Sequence, residues 1–547
     1  MVPTVGVRMM RPLFLLRAVV LLASLRVSQA LDNGLGLTPP MGYSSWNDCG
    51  STVNESWVKR SVTYLIESGL AAKGWVHVNV DEGWMVGRDP KTREPLEDRK
   101  LFPSGMKALG AWVHGQDVPG RGKTLKYGLY TCRGPTQCSR PEYRERCLHT
   151  APNPPACTGP HPDGHCGCEG SQRYEEIDGK WFAGAGADYL KEDSCTATQN
   201  HSQAFAQYAK MRDVLNKTGR PIFFSLCGWN PWYAPPDPSI GYSGGASLGN
   251  SWRIHGDGRN WGALSGAVNT MAALGNFTGA GGWNDPDLLI GPWCGIDHNQ
   301  AFCGQSDSQA RTQFTLWSLF PAPLLISQNL LQWSSYALET YSNEEVIALN
   351  QELNARAAVR LAGGDLVGPP ARCERHTPGA DSSDNCTNVW GRHLRSGEIA
   401  VAFVNNANQS RRVSCDTACF SRLGGGGVPL LASAVGYAVR DLWAHALMQP
   451  ITSLSLSALV EGGGGQRLFR LTPLEWAPQE PLIPSHTPDG QHLSGSHSRL
   501  KADDPSARPF VSSPHAMPLV ILTVLIDDMG YWDSSIFNPA SGDCGPH

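Results

Sequence analysis

The sequence predicts an α/β protein in which a (β/α)8 TIM barrel is followed by an antiparallel C-terminal β-sandwich. Short β-type runs alternate with helical stretches from Leu31 to about Leu331, which is the order that a parallel barrel requires. From about Asn343 to Ala477 the pattern changes to alternating apolar and polar residues between glycine-rich turns. The length of 547 residues accommodates two or three domains.

The predicted catalytic barrel occupies residues 31–335 and contains eight candidate strands. Helical stretches lie between them, such as Asn54–Lys73, Gln203–Leu215 and Ser308–Ser318. An open doubly wound sheet is the structural rival, but no G-x-G-x-x-G motif follows the first strand. The candidate strands are Met41–Trp46, Val76–Asp81, Lys126–Tyr130, Asp188–Asp193, Ile222–Cys227, Ser251–Arg253, Gly282–Asp285 and Leu324–Ser327.

The predicted β-sandwich occupies residues 343–477. Apolar residues alternate along segments such as Glu398–Val404, and the turns include Gly424–Gly427 and Gly462–Gly465. This pattern predicts an antiparallel sandwich of about eight strands.

Both ends of the chain fall outside these two domains. Arg8 and Arg11 precede the apolar run from Pro12 to Leu25, and Ser28-Gln29-Ala30 offers small residues for cleavage, so residues 1–30 are predicted to be a signal peptide. Residues 478–547 are predicted to be a disordered linker, rich in Pro, Ser, His and Asp, that ends in a sulfatase-like N-terminal fragment at Leu519–Asp533. The apolar run in that fragment is far too short to span a bilayer, so no membrane contact is expected after removal of the signal peptide.

The cysteines and the glycosylation sequons indicate the secretory pathway. An oxidising compartment favours disulfides for the 16 cysteines, and the six N-x-S/T sequons fit the same compartment. The pattern does not separate secretion from a lysosomal or vacuolar location. The sequons are at Asn54, Asn200, Asn216, Asn276, Asn385 and Asn408.

Zinc is the rival explanation for the cysteine-rich loop. The loop is rich in Pro and Gly, and disulfides are favoured over a metal site in a secreted protein. Elsewhere, Cys373 with Cys386 and Cys415 with Cys419 are candidate disulfide pairs. The candidate zinc ligands in the loop are Cys147, Cys157, His161, His165, Cys166 and Cys168.

Charged and aromatic residues follow the predicted strands at their carboxyl ends. Lys191 and Asp193 lie two residues apart, so on a strand they share one face. A solvated surface pair is the ordinary explanation for one such end. Five of the eight ends carry acids, however, and in a barrel these ends converge on one pocket. Carboxylates accompanied by lysine, arginine and aromatics, rather than by histidine, predict a sugar pocket and not a metal site. Seven of the ends carry the candidate site residues, namely Trp46-Asn47-Asp48, Asp81-Glu82, Tyr130, Lys191 and Asp193, Cys227-Gly228-Trp229, Arg253 and Asp257, and Asp285 and Asp287.

These stretches resemble glycoside hydrolase family 27, which contains α-galactosidases and α-N-acetylgalactosaminidases. The resemblance covers most of residues 31–330 in family order, and the sandwich that follows also fits the family's second domain. It implies a two-carboxylate mechanism without any metal or organic cofactor. The matching segments are 37–47, 79–84, 127–130, 188–195, 225–229, Trp252-Arg253 with Asp257, and 281–287.

The resemblance implies a retaining mechanism in which Asp193 is the nucleophile and Asp257 is the acid/base. A neighbouring Lys191 keeps a carboxylate ionised, whereas an acid must start protonated, so we expect the pocket to raise the pKa of Asp257. The resemblance also implies a disulfide between Cys138 and Cys195. The substrate-binding residues that it implies are Trp46, Asp81, Glu82, Tyr130, Lys191, Gly228, Trp229, Arg253, Asp285 and Asp287.

The chain departs from the family pattern at two sugar-binding positions. Glu82 stands where the family usually has Asp, and its extra methylene extends toward the space of galactose C6 and O6, which favours β-L-arabinopyranosides. Gly228 stands where α-galactosidases often carry Glu, which opens space as in N-acetylgalactosamine enzymes unless Pro231 and Trp232 refill it. Gly83 replaces a family cysteine that pairs near the first strand, so Cys132 is a candidate partner for Cys49.

The function expected is retaining exo-hydrolysis of terminal α-D-galactosyl residues from oligosaccharides and glycoconjugates. A β-L-arabinopyranosidase and an α-N-acetylgalactosaminidase are the alternatives, and an inactive sugar-binding protein is a remote one. Family relatives are monomers or dimers, so a homodimer stays open. The net charge of −4 and the lack of basic clusters argue against nucleic acid as a partner. Insertions at 133–179 and 293–304 are expected at the leaving-group side of the pocket.

Overall fold

The computed structural model of the chain describes residues 33–138, 146–148, 168–292, 305–353, 355–369, 373, 386–395, 397–426 and 435–474. The predicted signal peptide, the linker with its sulfatase-like fragment and the insertion at 293–304 lie outside these ranges. No helix within them is long and apolar enough to cross a membrane.

Eight parallel strands form the N-terminal sheet in chain order. The first strand also pairs with the eighth, Met41 beside Leu324, and Leu289 after the seventh strand bridges Ile326 of the eighth. The sheet therefore closes on itself, which confirms the predicted barrel. The strands are β1 (Met41–Ser44), β2 (His77–Asn79), β3 (Lys126–Cys132), β4 (Tyr189–Asp193), β5 (Phe223–Cys227), β6 (Ser251–Arg253), β7 (Trp283–Asp285) and β8 (Leu324–Ile326).

Side-chain caps fix where several barrel helices begin. Asn54 accepts a hydrogen bond from the Trp57 backbone N–H at 2.9 Å, and Ser306 forms a capping box with Gln309. The predicted first strand is too long, because the chain turns into a helix at Trp46. The helices are α1 (Trp46–Cys49), α2 (Glu55–Glu67), α3 (Met106–Gly115), α4 (Glu175–Gly184), α5 (His201–Lys217), α6 (Trp261–Ala273), α7 (Asp307–Leu319), α8 (Ser335–Ser342) and α9 (Glu344–Asn350).

The C-terminal domain consists of antiparallel strands, as predicted. Six of its strands form one sheet, and the other two pair with each other. An apolar core lies between the sheets. The strands are β9 (Val359–Ala362), β10 (Thr387–His393), β11 (Ile399–Asn405), β12 (Arg411–Cys415), β13 (Gly436–Asp441), β14 (Ala446–Leu447), β15 (Leu456–Val460) and β16 (Gly465–Leu474). The larger sheet has the order β9-β10-β11-β16-β13-β14, and β12 pairs with β15. A short helix, α10, covers Thr417–Phe420, and the barrel domain also contains a hairpin of Met85–Arg88 and Pro95–Glu97.

The disulfides agree with most of the sequence predictions. The sandwich pairs Cys373–Cys386 and Cys415–Cys419 are both formed, and the loop cysteines Cys147 and Cys168 are joined to each other. The predicted zinc alternative therefore loses two of its ligands, while Cys157 and Cys166 lie outside the described residues. Cys132 is a free, buried thiol although Cys49 is disulfide-bonded. The proposed Cys49–Cys132 pair is thus wrong.

A buried arginine joins the sandwich to the barrel. The guanidinium of Arg392 on β10 donates to the carbonyl oxygens of Ser318 and Leu319 at the end of α7, at 3.3 and 3.2 Å, and to the carboxylate of Glu352 at 3.0 Å. These contacts satisfy helix-end carbonyls that have no intrahelical partner. Burial lowers the pKa of Arg392 to about 10, so the contacts hold a cation that the interior would otherwise disfavour.

We expect Arg392→Met to lower the free energy of unfolding by about 3–5 kcal/mol, because it leaves buried carbonyls and Oε2 of Glu352 without their donor. Urea unfolding measures the change. The matched control is Arg395→Met on the exposed turn after the same strand, which should change stability by no more than about 0.5 kcal/mol. Equal effects of the two substitutions would show that Arg392 does not stabilise the domain interface.

Candidate active site

The register of the central strands sets the site. Cys132 on β3 pairs with Asp193 on β4, and Asp193 pairs with Cys227 on β5. Farther around the barrel, Arg253 on β6 pairs with Asp285 on β7. Paired residues of parallel strands stand side by side, so these side chains meet at the carboxyl-terminal rim of the barrel.

A cavity lies inside this rim and contains four of the predicted site residues, Asp81, Lys191, Arg253 and Asp285. Other polar residues that line it were not predicted. Small polar residues within otherwise apolar strands are the sequence signal that could have found them. The unpredicted polar lining residues are Ser44, Asn79 and Ser225; Cys227, from a predicted strand end, also lines the cavity, and apolar lining comes from Val80, Leu129, Tyr189, Leu288 and Leu325.

Lys191 is a largely buried cation between two carboxylates. Its Nζ lies 2.9 Å from Oδ2 of Asp81 and 3.7 Å from Oδ2 of Asp193. Burial opposes the charge of Lys191, but the two carboxylates outweigh it and hold the pKa of Lys191 well above its usual value. The alternative of a solvated surface pair is therefore wrong for Lys191 and Asp193.

The carboxylate of Asp193 is held by several donors. Its Oδ1 accepts from the Ser194 backbone N–H at 2.7 Å, and its Oδ2 accepts from the Tyr130 hydroxyl at 3.3 Å. Burial raises the pKa of Asp193, while Lys191 and the Ser194 N–H oppose that rise. Asp193 is thus a buried carboxylate whose ionised form depends on its immediate partners.

Asp257 lies in different surroundings. Its Oδ1 is 3.3 Å from Nη2 of Arg253, and its Oδ2 is 3.0 Å from Nη2 of Arg259. Its side chain is 40% exposed, so water also reaches it. Burial opposes the charge, but the two arginines outweigh it and hold the pKa of Asp257 below its usual value. The expectation of a raised pKa for Asp257 is therefore wrong in this structure, and the missed residue is Arg259.

Asp287 and Asp285 have separate positions. Oδ2 of Asp287 accepts from Nη2 of Arg253 and from the Gly258 backbone N–H, both at 2.7 Å. It therefore fixes both Arg253 and the segment that carries Asp257. Asp285 lines the cavity, and burial raises its pKa to about 6. Asp285 is the better placed of the two to contact a bound molecule, and Asp287 supports Arg253.

The predicted aromatic residues lie around Lys191 and at the rim. The ammonium of Lys191 is 5.0 Å from the ring centre of Tyr130 and 6.0 Å from that of Trp46, within cation–π range. Trp46 and Trp229 are both half-buried, so each presents part of its indole at the surface. Trp229 has a φ of 56°, in the left-handed region that bulky residues rarely adopt.

The implied disulfide Cys138–Cys195 is formed directly after β4. Its sulfurs lie within 4.8 Å of a carboxylate oxygen of Asp193, and this trio is the one group in the described ranges with metal-like spacing. Both sulfurs are joined to each other, so they are not available as thiolate ligands. The disulfide instead anchors the turn that follows Asp193.

Comparisons with known proteins identify the family of the chain. A family model described as alpha galactosidase A matches residues 162–352, and one described as the alpha galactosidase C-terminal beta sandwich domain matches residues 384–464. An α-galactosidase of Oryza sativa subsp. japonica is 31% identical over 419 residues, which are 76% of this chain and 81% of the relative. One from Cyamopsis tetragonoloba is 31% identical over 445 residues, which are 81% of this chain and 88% of the relative. The chain belongs to the α-galactosidase family, glycoside hydrolase family 27.

Solved structures share the fold of this family member at lower identity. α-Galactosidase I from Mortierella vinacea has a TM-score of 0.62 and 24% identity, covering 81% of this chain and 98% of that one. A β-L-arabinopyranosidase of family 27 from Geobacillus stearothermophilus has a TM-score of 0.59 and 22% identity, covering 82% of this chain and 100% of that one. Both fold alike, so the fold alone does not choose the sugar.

Glu82 is the first departure from the family pattern, and it is buried. Its backbone N–H donates to Oδ1 of Asp81 at 2.9 Å, and its charge acts on Tyr130 and Cys132. Asp81 lines the cavity beside Lys191, whereas Glu82 does not. The position of Glu82 therefore gives no specific support to the arabinopyranoside alternative.

Gly228, the second departure, does not leave an open space. A Cβ atom at this position would lie 1.8 Å from Cε2 of Tyr233, and Tyr233 itself is fully buried. The 3₁₀ turn Pro231–Tyr233 brings this ring back against Gly228. The ring of Tyr233, not Pro231 or Trp232, therefore fills the room that a side chain at 228 would use, and the α-N-acetylgalactosaminidase alternative is not favoured.

We expect Gly228→Ala to lower the melting temperature strongly, because its methyl group would overlap a buried ring that has no room to move. Differential scanning calorimetry measures the effect. The double variant Gly228→Ala/Tyr233→Leu should recover part of the loss, since the smaller side chain frees space. Gly279→Ala is the control, because nothing lies within 4 Å of its Cβ. A Gly228→Ala variant as stable as this control would contradict the packing described.

Proposed function

We propose that this family member is a retaining α-galactosidase in which Asp193 is the nucleophile and Asp257 is the acid/base. The observation that carries the proposal is a pair of electrostatically interacting aspartates with unlike surroundings. Asp193 is buried beside Lys191, while Asp257 is partly exposed between Arg253 and Arg259. The charge of Asp257 acts on Asp193, as two carboxylates that flank one anomeric carbon require.

In the first step, Oδ of Asp193 forms a bond to the anomeric carbon as the glycosidic C–O bond breaks. Asp257 gives its proton to the departing oxygen. In the second step, a water molecule gives a proton to Asp257, and the oxygen of that water bonds to the anomeric carbon. At the same time the bond between the anomeric carbon and Oδ of Asp193 breaks. The product keeps the α configuration because the anomeric carbon is inverted twice.

The surroundings of Asp193 suit a nucleophile that is also a leaving group. Lys191 and the Ser194 N–H stabilise the carboxylate before attack and when the ester breaks. Tyr130 donates to Oδ2, the oxygen that also faces Lys191, while the Ser194 N–H donates to Oδ1. The disulfide Cys138–Cys195 holds the turn behind these groups.

Asp257 must hold a proton when the substrate is bound. A sugar above the rim replaces water around its half-exposed carboxyl, and desolvation favours the neutral form. Arg253 stays near Asp257 and stabilises the carboxylate after proton transfer, since Asp287 holds that guanidinium in place. Arg259 is largely exposed, so it sets the proton affinity of Asp257 from the solvent side.

We assign galactose recognition to the residues in and around the cavity. Asp81 accepts hydrogen bonds from galactose hydroxyls, and Lys191 and Arg253 donate to them, while Trp46 covers an apolar face of the ring. Asp285 contributes a further acceptor at the cavity wall. The substrate class is a terminal α-galactoside, and disulfides throughout the described residues are consistent with a protein of the secretory pathway.

We expect Asp193→Ala to reduce hydrolysis of nitrophenyl α-D-galactoside by about 10⁴-fold or more, because no other group replaces the nucleophile. Added azide should restore turnover and yield the β-galactosyl azide, since azide attacks from the face that Asp193 occupies. The matched control is Asp213→Ala on the exposed side of α5, which should keep full activity. Unchanged hydrolysis by Asp193→Ala would refute the proposal.

The same assay tests the sugar. The unmodified protein should hydrolyse nitrophenyl α-D-galactoside with a higher kcat/KM than the β-L-arabinopyranoside or the α-N-acetylgalactosaminide. A higher kcat/KM on either of the other two glycosides would favour that alternative. Sugar binding by calorimetry with no turnover of any of the three would favour the inactive binding protein.

We expect Arg259→Ala to move the alkaline limb of the kcat/KM profile to higher pH by about one unit. Removing a cation that lies 3.0 Å from Asp257 raises the pKa of that carboxyl. The acid then stays protonated to higher pH, so activity persists further into the alkaline range. Lys123→Ala, an exposed cation at the opposite end of the barrel, should leave the profile unchanged. A shift toward lower pH would contradict the assigned role of Arg259.

A further inference from the structure

A second cavity, of about 470 Å³, lies at the opposite end of the barrel from the active site. It is bounded by the residues at which strands begin, among them Met41 of β1, His77 of β2, Lys126 of β3 and Phe223 of β5. Its volume falls in the range of small-molecule sites. We call it the lower cavity. It shares no lining residue with the cavity around Lys191.

The wall of the lower cavity is largely apolar. It is formed by the N-terminal segment before β1, the first residues of several strands and one face of α9. Such a wall suits the body of an organic molecule more than a hydrated ion. The apolar lining residues are Leu35, Pro39, Pro40, Met41, Val76, Pro221, Phe223, Ile347 and Ala348.

The two carboxylates of the lower cavity are already neutralised. Asp188 lies 2.6 Å from His114 and 2.6 Å from Arg220, and it accepts from the Tyr127 N–H. Glu344 forms an ion pair with Lys73. Neither carboxylate therefore needs the remaining cations of the cavity.

Two cations at the mouth of the lower cavity have no carboxylate partner among the described residues. Arg121 and Lys126 line the lower cavity and are exposed. Arg121 donates through Nε to the Ala72 carbonyl at 2.8 Å, and neither residue forms an ion pair with any residue that the structure describes. The cavity thus combines an apolar wall with two cations whose charge is not balanced locally.

His77 contributes a polar nitrogen atom to the lower cavity. It is only 8% exposed, and its Nδ1 has no hydrogen-bond partner among the described residues. Its ring lies edge-on to Tyr189 and Phe223. Burial, with the charge of Lys126, lowers the pKa of His77 to about 4, so the ring is neutral above that pH. A buried imidazole without a partner offers one hydrogen bond to a bound molecule.

We propose that the lower cavity binds a small organic anion. The carboxylate of such a molecule lies at the mouth between Arg121 and Lys126, and its apolar body packs against Pro39, Met41 and Phe223. Charge-assisted hydrogen bonds and apolar contact then act together. This inference does not depend on the glycosidase mechanism, because none of these residues belongs to the active site.

Benzoate is a suitable probe, because it joins a flat ring to a carboxylate. Saturation-transfer NMR and calorimetry on the whole protein should detect binding with a Kd in the low millimolar range or tighter, about 1 mM. Benzamide, of the same shape but neutral, should bind about tenfold more weakly. Saturating galactose should not compete, because it occupies the other end of the barrel. Lack of benzoate binding, or competition by galactose, overturns the proposal.

The double variant Arg121→Met/Lys126→Met should weaken benzoate binding by about tenfold or more, since methionine keeps an unbranched apolar side chain but removes the charge. The matched control is Lys123→Met, an exposed cation in the same segment that does not line the cavity. Benzoate should also raise the melting temperature of the unmodified protein and of the control, but not of the double variant. Equal benzoate affinity in all three proteins overturns the assignment of the anion to these two cations.

Discussion

The ammonium of Lys191 sits inside the barrel between Asp81, at 2.9 Å, and Asp193, at 3.7 Å, and the rest of the site is arranged around it. A buried charge without partners is strongly disfavoured, so each of the three groups requires the other two. Asp81 comes from the end of β2, and Lys191 and Asp193 come from β4, with β3 between them. The parallel register of three strands therefore decides whether the carboxylate is correctly placed, and the disulfide Cys138–Cys195 fixes the turn directly after it.

The surroundings of Asp257 act on its ionisation in the opposite direction to those of Asp193. Arg253 and Arg259 hold Asp257 ionised, while burial makes ionisation of Asp193 more difficult. This order is the reverse of the one that the first step of the proposed mechanism needs, in which Asp193 is ionised and Asp257 is protonated. In that mechanism a bound sugar changes the order, because it removes water from the exposed carboxyl of Asp257 and adds donors near Asp193. Arg253 is shared, since Asp287 already accepts from the same Nη2, so its attraction for Asp257 is limited.

The sequence predicts these features unevenly, for physical reasons. The barrel strands could be placed within two residues, because buried parallel strands are short apolar runs and the acids at their ends stand out. The site residues on β4 and β6 follow from that register. Arg259 could not be assigned, because a flexible exposed cation two residues after Asp257 has no periodic signal. The free Cys132 was misassigned for a similar reason: a cysteine shows its partner only when the chain brings two sulfurs together.

Gly228 shows most clearly where sequence reasoning ends. Replacing a large side chain by glycine predicts an empty space only if nothing else moves in, and here the 3₁₀ turn Pro231–Tyr233 directs the Tyr233 ring into that space. Interiors are packed to the density of organic crystals, so a vacated volume near a binding site is usually taken by a neighbour. The substitution therefore leaves no empty space beside residue 228. It follows that a single family position does not predict sugar preference in this chain, because the space next to 228 is filled by a residue five positions later.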